Sequence, residues 1–208
     1  MPPQFDLNEG GAALSSPSAV RNRDPILGVL RRVLPAQGTV LEIASGTGEH
    51  AVYFCKGLPG LTWQPTDRVT DALRSIAKHR ALAKWPNLLP PLELDVTAKA
   101  WPVVRADAIV SINMIHIAPW AAAKGLMAGA GRVLGPGGVL YLYGPFKEDG
   151  RHTAPSNQAF DASLRSRDPS WGVRDTADVT DLARQHGLDF AERVEMPANN
   201  LSLVFRRV

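Results

Sequence analysis

Apolar and polar positions change period several times along the 208 residues. Short apolar runs lie at Thr39–Ile43, Leu61–Pro65, Leu92–Val96, Ala108–Ile112 and Val139–Tyr143. Runs of this length, bounded by Gly, Pro and polar residues, predict strands. Helical spacing between them predicts helices at Glu49–Gly57, Thr70–Leu82 and Trp120–Leu134. Asp24-Pro25 predicts a helix start with Pro in the first turn, running to Leu34, where Pro35 stops it. Strands alternating with helices predict an α/β fold with a parallel sheet covered on both faces.

The pattern changes after residue 147. A polar stretch holds helices at Ser156–Arg167 and Thr176–His186, and Leu188–Met196 and Leu201–Arg206 read as a closing pair of strands. Residues 1–20 are rich in Pro, Gly, Ala and Ser and predict a flexible arm or lid. Residues 21–208 are expected to form a single domain. No internal repeat is present.

Composition narrows the class. A hydrophobic fraction of 45% and a charged fraction of 21% suit one core of ordinary globular type. The net charge is +3, but Lys and Arg are scattered singly or in pairs such as Arg31-Arg32 and Arg206-Arg207. Nucleic-acid binding needs clustered phosphate contacts, so no nucleic-acid partner is expected. The lone Cys55 excludes an intrachain disulfide and fits a reducing, cytoplasmic setting. Its place after Tyr53-Phe54 in a helix suggests a buried structural thiol. Met1 to Ser18 shows no secretory signal, and no apolar run approaches the ~20 residues that span a bilayer. No membrane partner is expected.

The candidate chemistry begins at Val40-Leu41-Glu42-Ile43-Ala44-Ser45-Gly46-Thr47-Gly48-Glu49-His50. An apolar strand ends in an acid, passes through a turn of small residues and enters a helix. Gly46 to Ala51 satisfies G-x-G-x-x-A, a permitted dinucleotide fingerprint. A dinucleotide would set its pyrophosphate at the helix N-terminus. Glu42 beside pyrophosphate would be repulsive; beside a sulfonium and an ammonium it is attractive. That argues against a dinucleotide oxidoreductase.

Two further acids follow at strand ends. Asp67 lies about 20 residues beyond the glycines, the spacing of a ribose-binding acid in open parallel folds. Its two oxygens can accept both ribose hydroxyls. Asp95, in Leu92-Glu93-Leu94-Asp95-Val96, is placed to accept from an adenine amino group. Ligands bind outside the carboxyl ends of such strands, so three acids at successive ends form one signal.

Glu42 to Gly48 resembles the glycine motif of class I S-adenosylmethionine-dependent methyltransferases. Asp67 and Asp95-Val96 resemble that superfamily's second and third motifs, and Leu134-Gly135-Pro136-Gly137-Gly138-Val139-Leu140 resembles the turn before its fifth strand. Ala44 stands where many members carry Gly. The chain is most similar to the methyltransferase-like 26 proteins and their bacterial relatives, domain of unknown function 938. Arg21-Asn22, Ser111 to Ile117, Leu142 to Phe146, Trp171 to Asp175 and Met196 to Leu201 carry that likeness.

The resemblance implies a Rossmann-like class I methyltransferase fold: a mostly parallel seven-stranded sheet with helices on both faces and an antiparallel final hairpin. It implies S-adenosylmethionine as cofactor and S-adenosylhomocysteine as product. Cofactor contacts are expected from Glu42, Ala44, Ser45, Gly46, Gly48, His50, Asp67, Asp95, Val96 and Asn113. Arg21 and Asn22 are expected to close over the cofactor and take its carboxylate by a charge-assisted pair.

The strand end at Asn113-Met114-Ile115-His116 lies, in that superfamily, beside the transferring methyl. The Asn-Pro-Pro-Tyr type motif of adenine or glutamine methylation is absent. His116 is the candidate general base, since its ordinary pKa of about 6.5 suits neutral pH. Its alternative role is a packed or capping residue near Trp120. Residues 148–175 are expected to cover the site. Tyr143, Phe146, His152, Asn157, Phe160 and Arg174 mix aromatics with hydrogen-bonding groups, as small-molecule pockets do. Met114, Trp120, Asn199 and Asn200 are the remaining candidate acceptor contacts. In a bland reading, Phe160 and Leu164 face the core and Arg174 pairs with Asp161 or Asp175.

The five histidines show no metal-type spacing and no G-x-S-x-G elbow occurs, so neither a metal nor a serine hydrolase is expected. The expected activity is methyl transfer to a small-molecule O, S or N acceptor by in-line displacement. The alternative is a non-catalytic S-adenosylmethionine-binding regulatory or partner protein. A monomer or weak homodimer is expected.

Overall fold

A computed structural model describes residues 13–208. The elements in chain order are α1 (Pro17–Val33), β1 (Gly38–Ile43), α2 (Glu49–Gly57), β2 (Leu61–Asp67), α3 (Thr70–Ala83), β3 (Leu92–Glu93) and β4 (Ala106–Ile112). Then come α4 (Trp120–Val133), β5 (Leu134–Gly144), β6 (Lys147–Glu148), β7 (Arg151–His152), α5 (Pro155–Arg167), α6 (Thr176–Arg184), β8 (Leu188–Met196) and β9 (Asn200–Arg207).

Seven strands form one sheet in the order β3-β2-β1-β4-β5-β9-β8. β1 to β5 run parallel, β9 is antiparallel to β5, and β8 is antiparallel to β9. This is the expected Rossmann-like sheet with its antiparallel final hairpin. The strand order reverses between β1 and β4, which opens a crevice at their carboxyl ends.

The central strands are apolar on both faces because helices cover both. Along β5, Leu140 and Leu142 join a core with α4 and α6, including Leu126, Met127 and Val179. Val139, Tyr141 and Tyr143 join the opposite core with α1 and α2, including Ile26, Leu30 and Phe54. Side chains alternate across the sheet, yet both sets are buried, so the strands read as continuous apolar runs. Cys55 is buried in the second core, and burial pushes its thiol up to about 12. It is a packing residue.

Five elements differ most from the pattern reading. The helix expected from Asp24-Pro25 begins at Pro17, so residues 17–20 are helical and Pro25 lies inside α1. Ser16-Pro17 repeats the same start signature eight residues earlier in the chain. Residues 1–12 of the expected arm lie outside the described residues. β3 has only two residues instead of five. Asp95 Oδ1 accepts from the Thr97 backbone N–H at 2.8 Å, and this local turn takes the chain out of the strand. β5 starts at Leu134, paired to Ala106 across a register shift. The β6–β7 hairpin was not expected, because two residues per strand are too few for periodicity. Asp149-Gly150 at its turn, both at positive φ, is the signal that marks it.

Among the described residues, no helix is long and apolar enough to cross a membrane.

Candidate active site

The glycine turn sits at the carboxyl end of β1. Ala44, Gly46 and Gly48 hold φ of 56°, 58° and 91°. The turn is tied to β2: Ser45 N–H donates to the Thr66 carbonyl at 2.8 Å, and Gly46 N–H donates to Asp67 Oδ2 at 3.0 Å. Gly48 permits close approach of α3, since a Cβ there would lie 2.9 Å from the Ile76 Cα. α2 begins at the next residue, and its first N–H, that of Glu49, donates to the Thr47 hydroxyl at 3.5 Å.

Glu42 lies beneath this turn, 2% exposed. Its Oε2 accepts from the Trp63 indole N–H and the Ser45 hydroxyl, each at 2.9 Å. Burial pushes its carboxyl up to about 7 against those two bonds, and nearby Asp67 adds to the rise. No Lys, Arg or His among the described residues forms an ion pair with it. Trp63 and Thr66, whose hydroxyl donates to the Glu42 carbonyl at 2.7 Å, were missed by pattern reading. Only the pairing of β1 with β2 brings them there.

Asp67 ends β2 and is buried. Burial raises its carboxyl above the usual range, while the N–H groups of Val69 and Gly46 oppose the rise. Asp95 lies two residues beyond β3, half-buried, with Oδ2 3.7 Å from Arg68. Val96 is buried beside it. The three acids therefore share one edge of the sheet.

The N-terminal segment lies over the turn. Leu14 N–H donates to the Ser75 hydroxyl, which donates to the Thr47 carbonyl. Glu49 accepts from the Ser15 hydroxyl and the Ser16 N–H. Asn22 on α1 bonds His50 Nε2 at 2.7 Å. Burial pushes His50 down to about 4, and Arg23 adds to this. Its ring stacks on Phe54. Arg21 is exposed, and its one side-chain bond is to the Ser18 hydroxyl.

At the end of β4, Asn113 takes a left-handed φ of 61° and opens a single 3-10 turn, Met114–His116. Its N–H donates to the Tyr143 carbonyl at 2.7 Å. His116 is fully buried and meets the edge of Phe146 at 4.7 Å between centroids. Nδ1 accepts from the Arg174 N–H at 3.3 Å, and Nε2 has no partner. Burial pushes the imidazole down to about 3, with the Arg174 charge adding; Gly172 and Asp161 pull the other way. A Cβ on Gly144 would lie 2.5 Å from Nε2 and 3.1 Å from Asn113 Oδ1. Gly144 is a site residue that the sequence pattern did not single out.

The expected cover is held by one buried acid. Asp161 on α5 accepts from Val173 N–H at 2.8 Å and Arg165 Nε at 3.2 Å. Lys147 Nζ and His152 Nε2 lie 3.2 and 3.3 Å away. Burial would raise its carboxyl, but these partners outweigh it and hold it below the usual range. Arg174 does not pair with Asp161 or Asp175. Its guanidinium donates to the carbonyls of Ile115, Ala118 and Ser170 and stacks over Trp120. Trp120 and Arg174 line a cavity of about 930 Å³ between α4, the β6–β7 hairpin and α6. No residue of the glycine turn lines it.

Asn157 is buried and ties α5 to the β8–β9 turn by donating to the Asn199 carbonyl at 2.8 Å. Asn199 Nδ2 returns a bond to Ser156, while Asn200 bonds only its own turn. Leu164 faces the core as the bland reading expects, but Phe160 is 39% exposed. Among the described residues, no group of three or more His, Cys, Asp or Glu is arranged to hold a metal.

The sheet order and the turn at the end of β1 define the methyltransferase Rossmann-like fold. The chain belongs to the family described as "Protein of unknown function (DUF938)", whose model matches residues 13–207. Among solved structures, an O-methyltransferase family protein from Burkholderia thailandensis is similar at TM-score 0.78 and 20% identity. The match covers 91% of this chain and 57% of that one. CalO1, a methyltransferase in calicheamicin biosynthesis solved with S-adenosylhomocysteine bound, matches at TM-score 0.71 and 20% identity, over 92% and 54%. A candidate sarcosine dimethylglycine methyltransferase from Galdieria sulphuraria matches at TM-score 0.75 and 14% identity, over 98% and 92%. The chain thus spans little more than half the length of the first two structures.

Proposed function

We propose that the chain is an S-adenosylmethionine-dependent methyltransferase acting on a small-molecule O, S or N acceptor. The observation that carries the reading is Glu42: a buried acid beneath a left-handed glycine turn, with no cation among the described residues paired to it. A ligand with positive charge fits that place, and an anionic pyrophosphate does not. The resemblance of the motifs and the methyltransferase fold support the same cofactor.

Glu42 and the amides that open α2 would hold the charged end, Asp67 the ribose hydroxyls, and Asp95 with Val96 the adenine. The cofactor would supply a methyl group already activated on a sulfonium. The chain then mainly positions the nucleophile, and positioning can lower such a barrier by ~7–11 kcal/mol. Asn113 and Tyr143, at the ends of β4 and β5, are the side chains we assign to that end of the site. α1, through Asn22, and residues 148–175 would exclude water from it. We place the protein in the cytoplasm, as a monomer or weak homodimer.

One observation favours the second reading, a cofactor-binding partner protein without catalysis: the expected base, His116, is buried with Nδ1 occupied. Calorimetric titration with S-adenosylmethionine, S-adenosylhomocysteine and NADH tests the assignment. Binding of both adenosyl ligands and not NADH is expected. Binding of NADH alone would overturn both readings.

A further inference from the structure

Two candidate acceptor contacts, Trp120 and Arg174, fall in the cavity of about 930 Å³ between α4, α6 and the β6–β7 hairpin. A cavity of this size suits a small organic ligand. Val173 and Leu182 give it a buried apolar floor, and half-buried Trp120 adds an aromatic surface.

The lining carries four Lys or Arg and four Asp, so it is neutral in sum. The two signs come from different elements. Lys147 on β6, Arg165 on α5 and Arg174 just before α6 gather around one buried acid, Asp161. Lys147 Nζ and Arg165 Nε each lie 3.2 Å from it. The Arg174 guanidinium has no carboxylate partner and meets only carbonyls and the Trp120 ring. Burial, and then the Arg165 charge, hold Arg174 below its ordinary value, with Asp161 opposing. Three cations around one acid leave an excess of positive charge on this wall.

The negative charge comes from the hairpin tip and α6. Asp175 spends its oxygens on the Gly150 and Ala177 N–H groups, and Asp181 pairs with Arg184 at 2.9 Å. Asp149 at the hairpin turn and Asp178 in the first turn of α6 are exposed, with no partner among the described residues. Lys124 on α4 is the remaining cation and is exposed. A polyanion would meet Asp149 and Asp178, and a simple cation would meet Arg165 and Arg174. A molecule that carries both signs complements both walls. Arg takes a carboxylate by charge-assisted, bidentate bonds.

We propose that this cavity is a second ligand site, separate from the cofactor crevice, which binds a small zwitterion: a short peptide with free ends or an ω-amino acid. Its carboxylate lies on the wall of Lys147, Arg165 and Arg174, its ammonium at Asp149 and Asp178, and its apolar body on Val173, Leu182 and Trp120. No bond is made or broken there. Arg174 also donates to the Ile115 and Ala118 carbonyls, so the ligand touches a side chain that holds the segment after β4. The site stands independently of the methyltransferase reading.

Indole N–H resonances of the full chain test it. Trp120 marks the cavity, and Trp63, bonded to Glu42 beneath the glycine turn, marks the crevice. The titrants are alanyl-leucine and ε-aminocaproate, with N-acetylalanyl-leucine and alanyl-leucine amide as controls that each lack one charge. We expect saturable shifts at Trp120 and none at Trp63. Amidating the carboxylate should weaken binding about tenfold or more, since that end meets half-buried cations. Acetylating the ammonium should weaken it about threefold, since the Asp rim is exposed. The tighter zwitterion identifies the source, peptide or amino acid. Asp178→Asn alters an exposed, unpaired side chain. It should weaken alanyl-leucine about threefold and leave N-acetylalanyl-leucine unweakened. Absence of a saturable Trp120 shift with either zwitterion, equal affinity for the blocked peptides, shifts centred on Trp63, or an equal loss of both peptides in Asp178→Asn would each overturn the proposal.

Discussion

The Trp63 indole N–H donates to Glu42 Oε2 at 2.9 Å, inside the second core and beneath the glycine turn. The pair places an acid where water cannot shield it. An unfolded Glu42 loses its proton near 4.5, and the folded one near 7. Between those values the folded chain holds one more proton, so this group's contribution to stability falls as pH rises. The full effect is roughly 3 kcal/mol. Relative to the parent chain, Glu42→Gln should gain stability by that order between about pH 4.5 and about pH 7. Urea unfolding at the two pH values measures it, and an equal difference at both would reject the assignment. The same variant should weaken S-adenosylmethionine binding by at least about tenfold, about 1.4 kcal/mol.

Asp67 holds the Gly46 N–H and, in our reading, the ribose. Asp67→Ala should lower cofactor affinity by more than about tenfold, since a charged hydrogen-bonding group contributes about 1.5–3 kcal/mol. Calorimetry gives the answer directly. Affinity within about threefold of the parent would remove the ribose assignment.

Ala44 and Gly48 predict opposite outcomes. Ala44 holds φ of 56°, where a Cβ is disfavoured, so Ala44→Gly should stabilise by about 1 kcal/mol. Gly48 at φ of 91° sits against the Ile76 backbone, so Gly48→Ala should cost about 2–4 kcal/mol. Denaturant midpoints test both, and a Gly48→Ala chain as stable as the parent would contradict the packing of α2 on α3.

Asn22 links α1 to His50. Asn22→Ala removes this bond and should cost about 1 kcal/mol. The loss should show first as faster hydrogen exchange in residues 13–24, with the β4 and β5 amides unchanged.

Asp161 is the anchor of the expected cover. Asp161→Asn keeps the Val173 bond but removes the charge facing Lys147 and Arg165. Breaking so covered a pair should cost about 2–4 kcal/mol. Limited proteolysis should then cut between residues 147 and 175; an unchanged digest would show that the segment is held by packing alone.

Much of this was legible in the chain itself. The continuous apolar run at Val139–Tyr143, bounded by glycines, reads as a strand buried on both faces, and it is one. Glu42, Gly46, Gly48 and Asp67 fall at strand ends because hydrophobic periodicity stops there and small residues permit the turn. Their shared edge follows from a parallel sheet alone. Ser16-Pro17 and Asp24-Pro25 carry the same local signal, and local signals cannot rank them. Contacts of Ser15 and Ser16 with Glu49, more than 30 residues away, accompany the earlier start.

The sequence by itself determined the elements, their alternation and the acids at the strand ends, because these depend on local period and composition. Only the tertiary structure decided the state of those groups. Trp63 reaches Glu42 across a strand pair, and Arg174 reaches His116 from 58 residues away. Burial and hydrogen bonding by distant partners set the protonation of an acid or an imidazole, and no spacing along the chain encodes them.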